Sequence, residues 1–157
     1  YQVNCAFYDA LGRDDRAYLL ARAIQFFAPG IPQVYYVGLL AGSNDMELLA
    51  RTGVGRDVNR RHYARAEIER ELDRPVVAGL VALIRFRNTH PAFAGEFSVE
   101  ADEGGLLVLE WRELEAWARL EVDLRSRRGC IRSSDAPTAW DFLASLGEAS
   151  PGSGGAG

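Results

Sequence analysis

The chain has 157 residues, a formal net charge of −4 and a sequence pI near 5.2. This acidic balance argues against a nucleic-acid-binding surface, because such surfaces are basic. The length suits about one domain of roughly 100 to 200 residues, and it excludes a complete (β/α)8 barrel, which takes about 250 residues.

The arginines, the cysteines and the lack of a membrane span or signal peptide together indicate where the protein is located. All 18 basic residues are arginine, but they are dispersed along the chain, which favours codon bias over phosphate recognition. No uncharged stretch reaches the roughly 18 residues of a membrane span, and the start lacks a signal-peptide pattern. Cys5 and Cys130 belong to no disulfide or metal motif. We therefore expect a cytoplasmic protein with reduced thiols, no metal, no membrane and no nucleic-acid partner.

The first third of the chain predicts a helix followed by a strand. Tyr1 to Gly12 has no sustained period and indicates an ordered loop. Asp14 can cap a helix of apolar residues at helical spacing, which Pro29-Gly30 ends. The β-branched and aromatic run Ile31 to Val37 then predicts a buried strand of a parallel α/β sheet. The long polar loop from Gly38 to Tyr63 would leave its carboxyl end, where α/β enzymes bind ligands.

Two helices are predicted after this loop. Arg65 to Leu72 alternates charged residues with sparse apolar ones and indicates a short exposed helix. Asp73 can cap a second helix that has Pro75 in its first turn and an apolar stripe that would pack on a barrel wall. Thr89-His90-Pro91 ends that helix.

Alternating apolar residues then predict a small antiparallel β domain. Its strands are Phe97 to Val99, Leu107 to Trp111 and Ala118 to Leu124. The turn between the last two lacks the Asn-Gly or Asp-Gly of a tight hairpin, so the register beyond Trp111 stays open. Gly147 to Gly157 contains too few apolar residues to order itself and predicts a flexible tail.

The residues alone assign few functional side chains. For Arg56, pairing with Asp57 or another loop carboxylate is slightly favoured over sugar binding, although a guanidinium suits both. Tyr1 and Gln2 would be ordinary loop residues. Other polar or aromatic candidates receive structural roles: Tyr35 and Tyr36 core packing, His62 and His90 non-metal roles, and Asp45, Glu47 and Asp57 loop ion pairs.

Three ordered blocks make the sequence recognisable. Pro29 to Gly38, Asn44 to Leu49 and Gly55 to Asp57 together resemble the sucrose phosphorylases of the alpha-amylase superfamily. The resemblance extends from Tyr1 to Phe86-Arg87-Asn88 and fades after about Phe97. Because the chain enters this pattern already at Tyr1, we expect it to be a fragment.

The resemblance implies an α/β plus β fold. Residues 1–13 would be an acceptor-side loop segment, and residues 14–92 the last β/α unit and final helices of a (β/α)8 barrel. Residues 93–146 would form the small antiparallel β domain, followed by the tail at 147–157.

The resemblance also implies a reaction. Sucrose phosphorylases transfer glucose from sucrose to phosphate by retaining double displacement, giving glucose 1-phosphate and fructose without a cofactor. Arg56 matches the arginine of their glucose subsite, while Tyr1 and Gln2 match their acceptor subsite. The catalytic carboxylates would lie upstream of this chain, so the chain by itself is expected to be inactive.

Several alternatives stay open. One is a related phosphorylase that acts on phosphorylated sucrose or another glucoside. Another, of a different class, is a non-catalytic β-rich binding module. A homodimer of the intact enzyme is also left open.

Overall fold

The structure, a computed structural model, describes residues 4–147, which form helices packed on one antiparallel sheet. The α-helices are α1 Phe7–Ala10, α2 Asp15–Phe27, α3 Tyr36–Leu39, α4 Met46–Thr52, α5 Arg65–Leu72 and α6 Pro75–Thr89. Three 3₁₀ helices span Gly55–Asn59, Pro91–Ala94 and Ala144–Leu146. The strands are β1 Glu96–Ala101, β2 Leu106–Glu113, β3 Ala116–Asp123, β4 Arg128–Ser133 and β5 Ala136–Trp140.

The helix predicted after Asp14 is confirmed as α2. The Asp14 carboxylate accepts a hydrogen bond from the Ala17 N–H at 3.0 Å and so caps the helix N-terminus. Tyr18, Leu19 and Phe27 are at most 1% exposed. Since fully burying a large apolar side chain contributes roughly 1.5 to 3 kcal/mol, α2 supplies much of the core.

The two later helices are confirmed, but the cap predicted for the second is wrong. α5 buries none of its residues, as its charge pattern indicated. α6 begins with Pro75 in its first turn, as predicted. Its N-cap is Arg74 rather than Asp73, and no side chain caps it. The Arg74 side chain instead reaches back to the carbonyl oxygens of residues 40 and 41, both at 3.3 Å.

The strand predicted for Ile31 to Val37 is not observed in this structure. Residues 31–35 lie in no helix or strand, and Tyr36–Leu39 forms α3. A strand exists only where a neighbouring strand exchanges backbone hydrogen bonds with it, and every strand within residues 4–147 lies between Glu96 and Trp140. Ile31 is accordingly 91% exposed. The last β/α unit of a barrel is therefore not seen in this structure.

The small antiparallel sheet is confirmed and is larger than predicted. Its five strands follow one another in the order β1-β2-β3-β4-β5, so β4 and β5 add to the three predicted strands. Glu113 pairs with Ala116 across a two-residue loop. Leu114 takes the left-handed conformation there, with φ 52°, without the expected Asn-Gly or Asp-Gly.

The two faces of the sheet differ in chemistry. Leu109, Trp111 and Leu120 lie on the face that packs against the helices, in a core that continues across the predicted domain boundary at residues 92 and 93. The opposite face carries an ion-pair ladder in which Arg119 lies 3.5 Å from Glu110 and 3.0 Å from Glu121. This second face is mostly polar, although it includes the buried Val108, and the helices pack on the other face.

One hydrogen bond ties the sheet directly to α2. The Trp111 Nε1–H donates to the backbone oxygen of Phe27 at 2.7 Å, in a buried position. Phe27 is the last residue of α2, so its carbonyl has no partner within the helix. The indole thus satisfies a buried helix-end acceptor that would otherwise cost roughly 1 to 3 kcal/mol.

We predict that Trp111→Phe lowers the free energy of unfolding by about 2 to 4 kcal/mol, because it orphans the Phe27 carbonyl and leaves a cavity. Trp117→Phe is the matched control, since Trp117 is half-buried on β3. Urea denaturation of both variants measures the difference. Equal losses would contradict a special role for the Trp111 bond.

Candidate functional site

Arg56 lies on an exposed 3₁₀ turn, Gly55–Asn59, directly after α4. Its guanidinium makes no hydrogen bond or ion pair with another residue of the range 4–147. Asp57, one partner that spacing favoured, lies 3.9 Å from Arg60 instead. The pairing of Arg56 with a loop carboxylate, which spacing slightly favoured, is therefore wrong within residues 4–147.

The Arg56 turn is held in place by α4. The Asp45 side chain accepts from the Leu48 N–H at 2.8 Å and caps α4, while the Asp45 N–H donates to the Val58 oxygen at 2.7 Å. Gly53 ends α4 in the left-handed conformation, with φ 66°. Asp45 is thus a helix cap, and the loop ion pair predicted for it is wrong.

The N-terminal segment lies against the same turn. The Asn4 side-chain nitrogen is 2.7 Å from the point that a Cβ on Gly55 would occupy. Farther along, the Asn44 Oδ1 accepts from the Ala6 N–H at 2.6 Å, and the Asn44 N–H donates to the Asp9 carboxylate at 2.6 Å. The described residues that follow Tyr1 and Gln2 therefore adjoin the residues that carry Arg56.

Arg74 joins the helices beneath this region. Its Nη1 donates to Glu71 at 2.7 Å and to the Ala41 carbonyl at 3.3 Å. Its guanidinium carbon lies 5.5 Å from the Tyr8 ring centre, and the Tyr8 hydroxyl donates to Asp15 at 2.7 Å. Burial, followed by the hydrogen bond to Asp15, raises the pKa of Tyr8 to about 12.

Two exposed tyrosines lie within the segment that was predicted to be a strand. Tyr35 and Tyr36 are 56% and 40% exposed, so their predicted core packing is wrong for this chain. Their ring centres lie 4.5 Å apart, and the Tyr63 ring lies 6.3 Å from Tyr36. The Tyr36 hydroxyl donates to the Arg61 carbonyl at 2.9 Å, which joins this group to the end of the Arg56 loop.

His90 has a structural role at the end of α6. Its Nδ1 accepts from the Ala92 N–H at 3.3 Å, so its Nε2 carries the proton and faces Asp135 at 3.2 Å. Ser133 donates to the same Asp135 oxygen at 2.6 Å and is the main cause of the lowered pKa of that carboxyl. His90 therefore joins α6 to the β4–β5 hairpin.

Residues 4–147 contain no group of three or more His, Cys, Asp or Glu that could hold a metal ion. Cys5 and Cys130 are both free and half-buried. Within the same range, no helix has both the length and the apolar character needed to cross a membrane.

Of the three residues that the sequence proposed for the site, the structure describes Arg56, and the residues that hold its turn were not predicted. Tyr1 and Gln2 lie outside the described residues, so their predicted acceptor-side role is not observed. The supporting roles of Asn44, Asp45 and Arg74 were not predicted. A signal existed for Asp45, because an Asp before Met46 to Thr52 and a Gly just after it are helix-end signals.

The chain is similar to several known proteins, all of which are named as phosphorylases. The chain is 60% identical over 134 residues to a sucrose phosphorylase of Agrobacterium vitis, which covers 85% of this chain and 28% of that protein. It is 46% identical over 138 residues to a glucosylglycerol phosphorylase of Marinobacter adhaerens, covering 88% and 29%. A crystal structure of sucrose 6F-phosphate phosphorylase from Thermoanaerobacter thermosaccharolyticum matches with a TM-score of 0.82 and 49% identity, covering 85% of this chain and 27% of that one. No protein-family model matches.

By their names, these relatives all belong to one class of enzyme, the glycoside phosphorylases. Identities of 46 to 60% extend over at least 85% of the chain, and the solved relative shares its fold. The chain belongs to the family of the sucrose and sucrose 6F-phosphate phosphorylases. It spans about 28% of the length of the curated relatives that it matches, and the recognition made from the sequence is confirmed.

We predict that the alkaline stability of this region depends on Tyr8. Its folded pKa of about 12 exceeds its ordinary value of 10.0, so the unfolded chain loses this proton first. The contribution of the Tyr8 pKa shift to the free energy of unfolding is complete below pH 10 and is lost as the pH rises toward 12. Unfolding free energies measured between pH 9 and 12 should fall less steeply for Tyr8→Phe than for the wild type. Tyr35→Phe, at an exposed position, is the control, and identical slopes for Tyr8→Phe and wild type would contradict the prediction.

Proposed function

We propose that this chain is the C-terminal part of an enzyme that transfers glucose from sucrose to inorganic phosphate. The products would be glucose 1-phosphate and fructose, formed by retaining double displacement. The observation that carries the proposal is the 60% identity to a sucrose phosphorylase over 85% of the chain.

The glucose-binding role proposed for Arg56 is supported by its surroundings. Its guanidinium is exposed, on a turn held by Asp45 and by the end of α4. A planar guanidinium donates several hydrogen bonds in a fixed geometry. Fixing it on a braced turn would let these donors meet sugar hydroxyls without a large ordering cost.

The acceptor-side role proposed for Tyr1 and Gln2 is supported by the position of the residues that follow them. Asn4 lies against Gly55, the residue just before Arg56. Since Gln2 precedes Asn4 by two positions, the acceptor side and the glucose side of the proposed site would be neighbours. A phosphorylase needs this arrangement, because the incoming phosphate must reach the glucosyl group.

The exposed segment 31–35 fits the same proposal. Ile31 and Tyr35 are 91% and 56% exposed, although their composition is that of a buried strand. We propose that they form the last strand of a (β/α)8 barrel, paired with strands outside this chain. The domain division predicted from the sequence, with the barrel part ending near residue 92, belongs to this proposal.

The proposal also includes a choice among possible substrates. The relatives are named for sucrose, sucrose 6F-phosphate and glucosylglycerol, and all three carry a glucosyl group that the Arg56 turn would bind. We favour sucrose because one sucrose phosphorylase is 60% identical to this chain, although a second one, at 50%, is no more similar than the sucrose 6F-phosphate phosphorylase. Assays of the intact enzyme with each glucoside separate these alternatives.

We predict that Arg56→Ala in the intact enzyme lowers kcat/KM for sucrose cleavage and for its reversal alike. The glucosyl group would occupy the same subsite in both directions, and a lost charge-assisted hydrogen bond costs about 1.5 to 3 kcal/mol. That range corresponds to roughly ten- to over a hundredfold. Arg51→Ala is the control, because Arg51 is an exposed arginine in the last turn of α4. Unchanged kcat/KM in Arg56→Ala would remove Arg56 from the glucose subsite.

A second prediction concerns the 157-residue chain by itself. Because the catalytic carboxylates are expected on strands outside it, the purified chain should release no glucose 1-phosphate from sucrose and phosphate. A coupled assay for glucose 1-phosphate measures this, with the intact enzyme as the positive control. Measurable turnover by the purified chain would place the catalytic groups within these 157 residues.

A further inference from the structure

Asn44 contacts the N-terminal segment through both its side chain and its backbone. Its Oδ1 accepts from the Ala6 N–H at 2.6 Å, and its Nδ2 lies 3.6 Å from the Cys5 sulfur. Its backbone N–H donates to the Asp9 carboxylate at 2.6 Å. The same carboxylate is held by Arg13 at 2.7 Å. Residue 44 is thereby fixed to a segment 35 to 39 residues away in sequence.

The next residue contacts the Arg56 turn. The Asp45 N–H donates to the Val58 carbonyl at 2.7 Å, while the Asp45 side chain caps α4. Two consecutive residues thus bond to the two segments that the proposed function assigns to opposite sides of one site. Asn4 also contacts Gly55, so the N-terminal segment and the Arg56 turn touch each other directly as well.

We infer that Asn44 is a positioning residue that fixes the acceptor-side segment relative to the Arg56 turn and so favours phosphate over water as the glucosyl acceptor. This inference rests on the proposed function. Asn44 does not need to touch substrate, because it acts through Ala6 and Asp9. A phosphate must be positioned closely to attack the glucosyl group, whereas water is small and abundant. Loosening the segment should therefore slow phosphorolysis more than hydrolysis.

An asparagine suits position 44 because its amide has both an acceptor and a donor. The amide oxygen meets a backbone donor, and the amide nitrogen meets a sulfur acceptor. Asn44→Ala removes both contacts and leaves the Ala6 N–H without its acceptor. Asp9→Asn is the conservative partner variant, because an amide oxygen can still accept from the Asn44 N–H, whereas Asp9→Ala removes that acceptor entirely.

The test measures acceptor partition in the intact enzyme, as the ratio of glucose released to glucose 1-phosphate formed from sucrose in phosphate buffer. This ratio does not depend on the fraction of folded enzyme. For Asn44→Ala we expect it to rise roughly fivefold, which corresponds to about 1 kcal/mol, the net contribution of one hydrogen bond. Asp9→Ala should raise it similarly, and Asp9→Asn should restore most of the wild-type value. Asn88→Ala, at an exposed position of α6, should leave it unchanged.

The outcomes separate this inference from the function on which it rests. A wild-type enzyme that forms no glucose 1-phosphate from any of the glucosides would overturn the proposed function and this inference with it. An active wild type whose ratio stays the same in Asn44→Ala would overturn the inference alone. An equal rise in Asn88→Ala would also overturn it, because the effect would then not depend on the Asn44 contacts.

Discussion

Burial of α2 between α6 and the sheet is the constraint on which the rest of the structure depends. Tyr18, Leu19 and Phe27 are almost completely excluded from solvent, and the Phe27 carbonyl receives the Trp111 indole. The helical part and the β part therefore share one core. Because the interior is close-packed, the sheet cannot shift without moving α2, and α2 carries the segments that flank the proposed site.

The arginines near the proposed site differ in whether other protein groups already bind their guanidinium groups. Arg74 and Arg13 are occupied by carboxylates and carbonyls that hold the fold. Arg22 is buried, with its guanidinium 4.4 Å from the Phe7 ring centre and 2.9 Å from the Tyr18 hydroxyl. Arg56 differs from these three because it projects from a braced turn toward solvent. An exposed arginine on a fixed backbone suits ligand binding better than an exposed arginine on a flexible loop.

Ile31, Tyr35 and Tyr36 are large side chains that the described chain leaves exposed. The chain spans about 28% of the length of a curated relative, and in our proposal residues 31–35 pair with strands outside it. Large apolar side chains at 91, 56 and 40% exposure are costly in water and usually mark interfaces.

The sequence by itself determined the elements whose stability is local and the family to which they belong. α2 with its Asp14 cap, α6 with Pro75, and the alternating strands around Trp111 could be predicted because caps and periodicity act within a few residues. Arg56 could be proposed for the site from its motif. Only the tertiary structure decided that residues 31–35 are unpaired here, that Leu114 turns the hairpin, and that Asn44 and Asp45 join two distant segments. The first and the last of these depend on partners far away in sequence, which local patterns do not encode. The Leu114 turn is local, but it lacks the Asn-Gly or Asp-Gly that would have indicated it.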